Sequence, residues 1–268
     1  MPIEILISTY NRVRFLKEAI NSVLNQTHQD FLITIVDSGS TDSTNEYLLS
    51  LNDKRIRVIR FDDNLGISKN IERAMAQTNQ RFVVLFHDDD VMMPYLLETY
   101  VESLNEDMVL YHSDIIHIDS KGNKLDEIRP NVQELIQRSE YIDLLMRDRK
   151  AASIVMPTVM VDTKRLRDTG VWPLKLNPKM SMLVDMGIWM QINEFGSFKF
   201  INKKCLKYRL HQKSGTSLFG KKINEMLKNR LAIYKEINSR RQSFFARILS
   251  IKLFIKSVLF DIKVLMLK

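Results

Sequence analysis

Hydrophobic positions along the first hundred residues switch repeatedly between two periods. Residues 3–9 form a short aliphatic run that reads as a strand. Over 14–24 the apolar residues are Phe15, Leu16, Ala19, Ile20, Val23 and Leu24, and that spacing is helical. Residues 31–36 read as a second strand, closed by the turn Asp37-Ser38-Gly39-Ser40. Thr41 or Asp42 is placed to cap a helix over 43–51. A third strand is expected over 56–61, a loop over 62–66 and a helix over 68–76. Residues 81–86 read as a fourth strand running into His87-Asp88-Asp89-Asp90, and Pro94 opens the next helix.

Strands alternating with helices of this length predict βαβ units and a mostly parallel sheet. Such sheets bind ligands beyond the carboxyl ends of their strands. Polar loops follow the first, second and fourth strands: Thr9-Tyr10-Asn11-Arg12, residues 37–42 and residues 87–90. The alternation fades after Leu110. Lys121-Gly122-Asn123 reads as a turn between short strands, and residues 131–150 read as helical. No internal repeat is visible.

The length of 268 residues suits one large α/β domain with an appendage. A hydrophobic fraction of 45% with 27% charged residues is that of a globular chain and excludes disorder. The single cysteine, Cys205, excludes an internal disulfide and a Cys-rich zinc module. Met1-Pro2-Ile3-Glu4-Ile5-Leu6 has neither a basic leader nor a cleavage site, so a cytoplasmic location is expected. Charge changes the picture further. Residues 203–268 hold 17 Lys+Arg against 3 Asp+Glu, whereas residues 1–202 hold 23 against 29. An acidic body with a basic tail calls for a polyanionic surface as partner.

The run Asp88-Asp89-Asp90 is the sharpest chemical feature. Consecutive carboxylates repel one another, and a hard divalent cation such as Mg²⁺ or Mn²⁺ relieves this. The plain alternative is a solvated acidic turn capping the next helix. Asp37 at a strand end can accept from a ring N–H or from ribose hydroxyls, or can close an Asx-turn. No G-x-G-x-x-G follows the first strand, and neither G-x-x-x-x-G-K-[ST] nor G-x-S-x-G occurs.

Four segments occur in order: Thr9-Tyr10-Asn11-Arg12, Val36-Asp37-Ser38-Gly39-Ser40-Thr41-Asp42, Asn64-Leu65-Gly66 and Asp88-Asp89-Asp90. Together they resemble the family 2 glycosyltransferases of bacterial glycan assembly. The resemblance covers residues 2–115 strongly and extends toward 217. It implies a GT-A fold, Rossmann-like, with a mostly parallel central sheet flanked by helices. It also implies a nucleotide-sugar donor, a divalent metal (Mn²⁺ or Mg²⁺) and inversion at the anomeric carbon. On this resemblance Thr9, Tyr10 and Arg12 line the base and ribose pocket, and Asp37 holds the base, expected to be uracil. Asn64, Gly66 and Lys69, with Asn70 beyond, flank nucleotide and donor. His87 stands at the first position of the family's D-x-D-D run. Asp89 then faces ribose or donor sugar, Asp88 shares the load, and Asp90 binds metal.

The base that deprotonates the acceptor is expected in the second half, at Asp185 within residues 182–190, where Val184 replaces the family's usual Glu. An Asp there is equally a good helix N-cap. Residues 208–217 resemble the family's Y-R-x-H…S segment. His211 is placed to complete the metal shell, and Arg209 or Lys213 to neutralise phosphate. His28, His112 and His117 read as structural.

These readings divide the chain into a GT-A domain over 1–220 (nucleotide half 1–115, acceptor half 116–220) and a basic amphipathic tail over 221–268. At about 100° per residue, Lys252, Lys256 and Lys263 fall within about 40° of one another, with apolar residues around the rest of the helix. No stretch of 244–268 is long enough and free enough of charge to span a membrane. The expectation is an in-plane helix on anionic lipid at the inner face of the cell membrane. Packing on the enzyme or on a second subunit, as a homo-oligomer, is the alternative. The tail lacks the polar readers that nucleic acid requires. The acceptor expected is a glycan or lipid-linked glycan, as in polysaccharide biosynthesis. The rivals are a catalytically silent GT-A-like membrane scaffold and a nucleotidyltransferase; the latter normally carries a Gly-rich phosphate loop, and Thr9–Arg12 has no glycine.

Overall fold

The period-2 runs of the first hundred residues pair side by side in the computed structural model, which describes residues 2–125, 131–177, 183–211 and seven positions between 231 and 239. In chain order these are β1 (Ile3–Thr9), α1 (Val13–Leu24), β2 (Phe31–Ser38), α2 (Thr44–Ser50), β3 (Ile56–Phe61), α3 (Ile67–Met75) and β4 (Phe82–His87). The four strands are parallel in the order β3-β2-β1-β4, with Thr9 opposite Asp37 and Ser8 opposite His87. The register therefore brings the loops after β1, β2 and β4 to one edge, as the polar clusters predict.

The second half extends the same sheet. Its elements are β5 (Val91–Met92), α4 (Leu96–Glu102), β6 (Met108–Ile118), β7 (Leu135–Ile136), α5 (Tyr141–Arg147), β8 (Met160–Asp162), α6 (Thr163–Asp168), α7 (Val184–Ile192) and β9 (Ser197–Arg209). The sheet continues β4-β8-β6-β9-β5, and β7 pairs with β9. β8 runs antiparallel to β4 and β6, whereas β6 and β9 are parallel. β6 runs through the division expected near residue 115.

Three expectations are corrected here. Residues 131–150 are helical only over Tyr141–Arg147; Leu135 and Ile136 pair instead with Lys199 and Phe198. Burial of Ile136 against the sheet overrides the local helical period. The helix after Pro94 begins two residues later, at Leu96. The turn at Lys121-Gly122-Asn123 is present, with Gly122 at φ 91° and the Asp119 carboxylate accepting from Lys121 and Asn123 N–H, but it follows one long strand rather than short ones.

Strand alternation sorts the core onto two faces. Ile3, Ile5, Ile7, Ile33, Ile35, Val84 and Phe86 pack against Leu16, Ala19, Ile20 and Val23 of α1. Leu6, Val36, Val83 and Leu85 face the other way, toward Ala74 and Met75 of α3 and Ile188 and Trp189 of α7. Asp162 caps α6 by accepting from Lys164 N–H and is itself paired with Arg81 at 2.7 Å. No described helix is long and apolar enough to cross a membrane.

Candidate active site

The loops beyond β1 and β2 are fastened by one side chain. Asn11 has a left-handed backbone (φ 54°), which asparagine tolerates better than most residues. Its Oδ1 accepts from Thr41 N–H at 2.7 Å and Asp42 N–H at 3.2 Å, and its own N–H donates to Ser40 Oγ at 2.9 Å. Thr9 is buried at the end of β1, while Tyr10 is 40% exposed beside it. Asp42 accepts from Thr44 N–H at 3.0 Å, but the cap position of α2 is held by Ser43 rather than by Thr41 or Asp42, the two alternatives expected there.

Asp37 is fully buried at the end of β2. Its Oδ1 accepts from Ser40 N–H and Oγ, and its Oδ2 accepts from Arg60 Nη1 at 2.5 Å. Arg60 stands opposite Asp37 in the β2–β3 register and also donates to Ser40 O. Residue types alone did not single out Arg60; a charge at the matching position of the neighbouring strand is the signal that would have. Gly39 has φ 77°, and a Cβ there would lie 2.8 Å from Asp62 O, so only glycine lets the β2 and β3 loops meet.

Asn64 braces the next loop through Oδ1, which accepts from Gly66 N–H at 2.9 Å and Asn70 Nδ2 at 2.7 Å. Gly66 takes φ 83° immediately before α3. Lys69 lies one turn on, about half exposed and 3.3 Å from Glu72. Glu72 in turn accepts from Leu176 N–H at 3.2 Å and pairs with Lys175, tying this loop to the second half.

The acidic run lies at the centre of this edge. Asp88, Asp89 and Asp90 are all buried. Arg12 Nη1 donates to Asp88 Oδ1 at 3.0 Å and Asp89 Oδ2 at 2.7 Å. His211 Nε2 also lies 3.0 Å from Asp89 Oδ2. Asp90 Oδ1 accepts from the backbone N–H of Arg209 at 2.7 Å, and Asp90 Oδ2 has no hydrogen-bond partner among the described residues. Burial pushes the Asp88 carboxyl up to about 6 against the pull of Arg12. Burial and the neighbouring Asp89 charge hold Asp90 well above the usual carboxylate range. Burial also pushes Asp89 upward, but the His211 hydrogen bond and the charges of His87, Arg12 and His211 bring it below. One buried oxygen in a crowd of carboxylates, lacking a donor, has the electrostatics of a cation site. A ring nitrogen of His87 and carboxylate oxygens of Asp89 and Asp90 lie within 4.8 Å of one another and form such a group.

Two expected assignments change in detail. The cluster takes in His87 rather than His211, whose Nε2 is directed at Asp89 Oδ2. Arg209, expected near phosphate, is buried as a brace: Nε donates to Asp89 O at 2.8 Å, Nη2 to Glu18 Oε2 at 2.5 Å, and the guanidinium lies over Phe15. Lys213 and residues 244–268 fall outside the described residues; of the tail over 221–268, Ala232 and Ile237 are buried in the core cluster that holds Ile188 and Trp189 of α7.

A cavity of about 310 Å³ adjoins the cluster, and its wall includes both His87 and Asp185. Asp185 lies in the first turn of α7 behind Leu183, which occupies the cap position, and its Oδ1 accepts from Met186 N–H at 2.8 Å. The N-cap alternative is thereby removed. Burial raises the Asp185 carboxyl above its ordinary range. His112 and His117, read as structural, also line the cavity with Tyr208 and the apolar Ile154, Val155 and Met156.

A mostly parallel sheet with carboxylates gathered beyond its carboxyl edge, continued by a second half that closes a cavity, defines a GT-A glycosyltransferase. S. aureus TarS in complex with UDP shares the fold at a TM-score of 0.62 and 16% identity, covering 87% of this chain and 65% of that one. The mannosyltransferase PcManGT from Pyrobaculum calidifontis, in complex with GDP-Man and Mn²⁺, matches with a TM-score of 0.58 and 11% identity over 87% of this chain and 64% of that one. The chain belongs to glycosyl transferase family 2, whose family model matches residues 4–159. An uncharacterized glycosyltransferase of Methanocaldococcus jannaschii is 29% identical over 217 residues, 78% of this chain and 70% of the relative. Chondroitin synthase of Escherichia coli is 27% identical over 244 residues; the match takes in 89% of this chain but only 33% of the synthase.

Proposed function

We propose that the chain transfers a sugar from a UDP-sugar to a hydroxyl of a glycan or lipid-linked glycan, with inversion at the anomeric carbon. Asp89 and Asp90 would hold a divalent cation, Mn²⁺ or Mg²⁺. The observation that carries the reading is the partnerless buried Asp90 Oδ2 beside a cavity whose wall includes Asp185. Support for the donor class comes from TarS, solved with UDP and with UDP-GlcNAc.

A bound cation would supply positive charge against the growing charge of the diphosphate leaving group. The chain does the rest. The loops joined by Asn11, with Thr9, Tyr10 and Asp37, make the floor for base and ribose. Arg12 holds Asp88 and Asp89 in place. Asp185 takes the proton of the acceptor hydroxyl as the new bond from that oxygen to the anomeric carbon forms. The bond from that carbon to the diphosphate breaks, and UDP leaves with the electron pair. A carboxylate whose proton affinity is raised by burial is a stronger base than an exposed one.

Residues 244–268 would seat the enzyme on anionic lipid at the inner face of the membrane, near a lipid-linked acceptor. The test of the reaction is UDP release from a panel of UDP-sugars with Mn²⁺. Wild type is expected to release UDP from one of them. Asp185→Asn is expected to lose on the order of 10²- to 10⁴-fold in turnover while keeping its UDP affinity. Equal turnover by the variant would remove Asp185 from the reaction.

A further inference from the structure

We infer that His87 is itself a ligand of the cation, and that its imidazole turns the site toward Co²⁺ and Mn²⁺ and away from Mg²⁺. This rests on the metal-dependent reading above. Of the two Asp90 oxygens, Oδ1 is taken by the backbone N–H of Arg209 and Oδ2 is the buried atom without a partner. His87 Nδ1 lies 3.7 Å from that Oδ2. The separation is too long for a hydrogen bond. It is well inside the roughly 4.2 Å that can separate two ligands each about 2.1 Å from one cation. Asp89 Oδ2 already accepts from Arg12 and lies against His211. The donor set is thus the partnerless Asp90 oxygen and a His87 ring nitrogen, with an Asp89 carboxylate oxygen within 4.8 Å of both.

The placement follows from the strand. His87 ends β4 on the same face as Val83 and Leu85, the face that carries α7 and the cavity. Its side chain is 38% exposed, so the ring is not fixed by close packing on all sides. The ordinary family run has an Asp here. Replacing that oxygen donor by nitrogen changes the preference of the shell. Mg²⁺ favours oxygen ligands and near-ideal octahedral geometry, whereas affinity for a nitrogen-containing site rises from Mn²⁺ to Co²⁺.

The experiment uses the full chain with UDP and measures binding of Mn²⁺, Co²⁺ and Mg²⁺ by calorimetry. Pulsed electron paramagnetic resonance of the Mn²⁺ complex then reads ¹⁴N coupling from a ligated imidazole. Wild type is expected to bind Co²⁺ and Mn²⁺ at least about tenfold more tightly than Mg²⁺ and to show the coupling. His87→Asp should keep Mn²⁺, lose the coupling and bring the Mn²⁺ and Mg²⁺ affinities together. His211→Asn should keep the coupling. His87→Gln serves as a second variant should His87→Asp fail to fold, and it should also lose the coupling. Mn²⁺ binding without ¹⁴N coupling in wild type, or coupling that persists in both His87 variants, overturns the inference while leaving a metal-dependent enzyme. No cation binding by folded wild type, with or without UDP, overturns the metal-dependent reading and this inference with it.

Discussion

Asp185 shows how far one carboxylate's environment sets its chemistry. Its raised proton affinity comes first from burial, and the single N–H of Met186 offsets that only in part. In the proposed reaction the base is the ionised form, so turnover should fall as pH drops through this raised value. The acid limb of kcat against pH is then expected above the ordinary carboxylate range, near 4, and Asp185→Asn should abolish the limb along with the rate. A limb at the ordinary value would place Asp185 in solvent. Asp185 and the Asp88-Asp89-Asp90 run were readable from residue order, because carboxylates at a strand end or helix start carry their own signal. His112 and His117 were not. They sit on β6, where no turn or acidic neighbour marks them, and only the folded chain brings them to the cavity beside His87 and Asp185. Burial drives His112 down to about 3, so it enters the cavity wall as a neutral ring.

At the scale of elements, the site depends on loops that are held to one another rather than each made rigid alone. Asn11 holds the β1 loop to the β2 loop through Thr41 and Asp42, in a left-handed conformation that alanine resists. Asn11→Ala is expected to cost about 1–3 kcal/mol in urea unfolding and to weaken UDP binding several-fold, since two loops lose their register together. Unchanged UDP affinity would mean that the loops hold their places without it. The elements of the first hundred residues were readable because each parallel strand is followed by its own helix, which separates the two periods cleanly. Beyond residue 110 the partners are far apart in the chain: His112 faces Phe200, and Leu135 faces Lys199. Local periodicity carries no record of such pairings, which is why 131–150 read as one helix.

Across the whole molecule, a single sheet joins the two halves, and Glu72 adds a second tie through Leu176 and Lys175. The loops beyond β1, β2 and β4 and Asp185 are therefore joined by one sheet, and the uneven charge belongs to residues 203–268. Deleting residues 244–268 is expected to abolish co-sedimentation with vesicles containing anionic lipid. Wild-type binding to those vesicles should weaken with salt, as surface electrostatics does. Retained binding by the truncated chain would move membrane attachment elsewhere. The claim on which the rest stands is a nucleotide site completed by a cation at Asp89 and Asp90. Its most direct test is calorimetric titration of the full chain with UDP, GDP and dTDP, each with and without Mn²⁺, alongside Asp90→Asn. UDP alone should bind tightly, and only with Mn²⁺; Asp90→Asn should weaken it by at least on the order of tenfold. UDP binding indifferent both to Mn²⁺ and to Asp90→Asn would contradict the account.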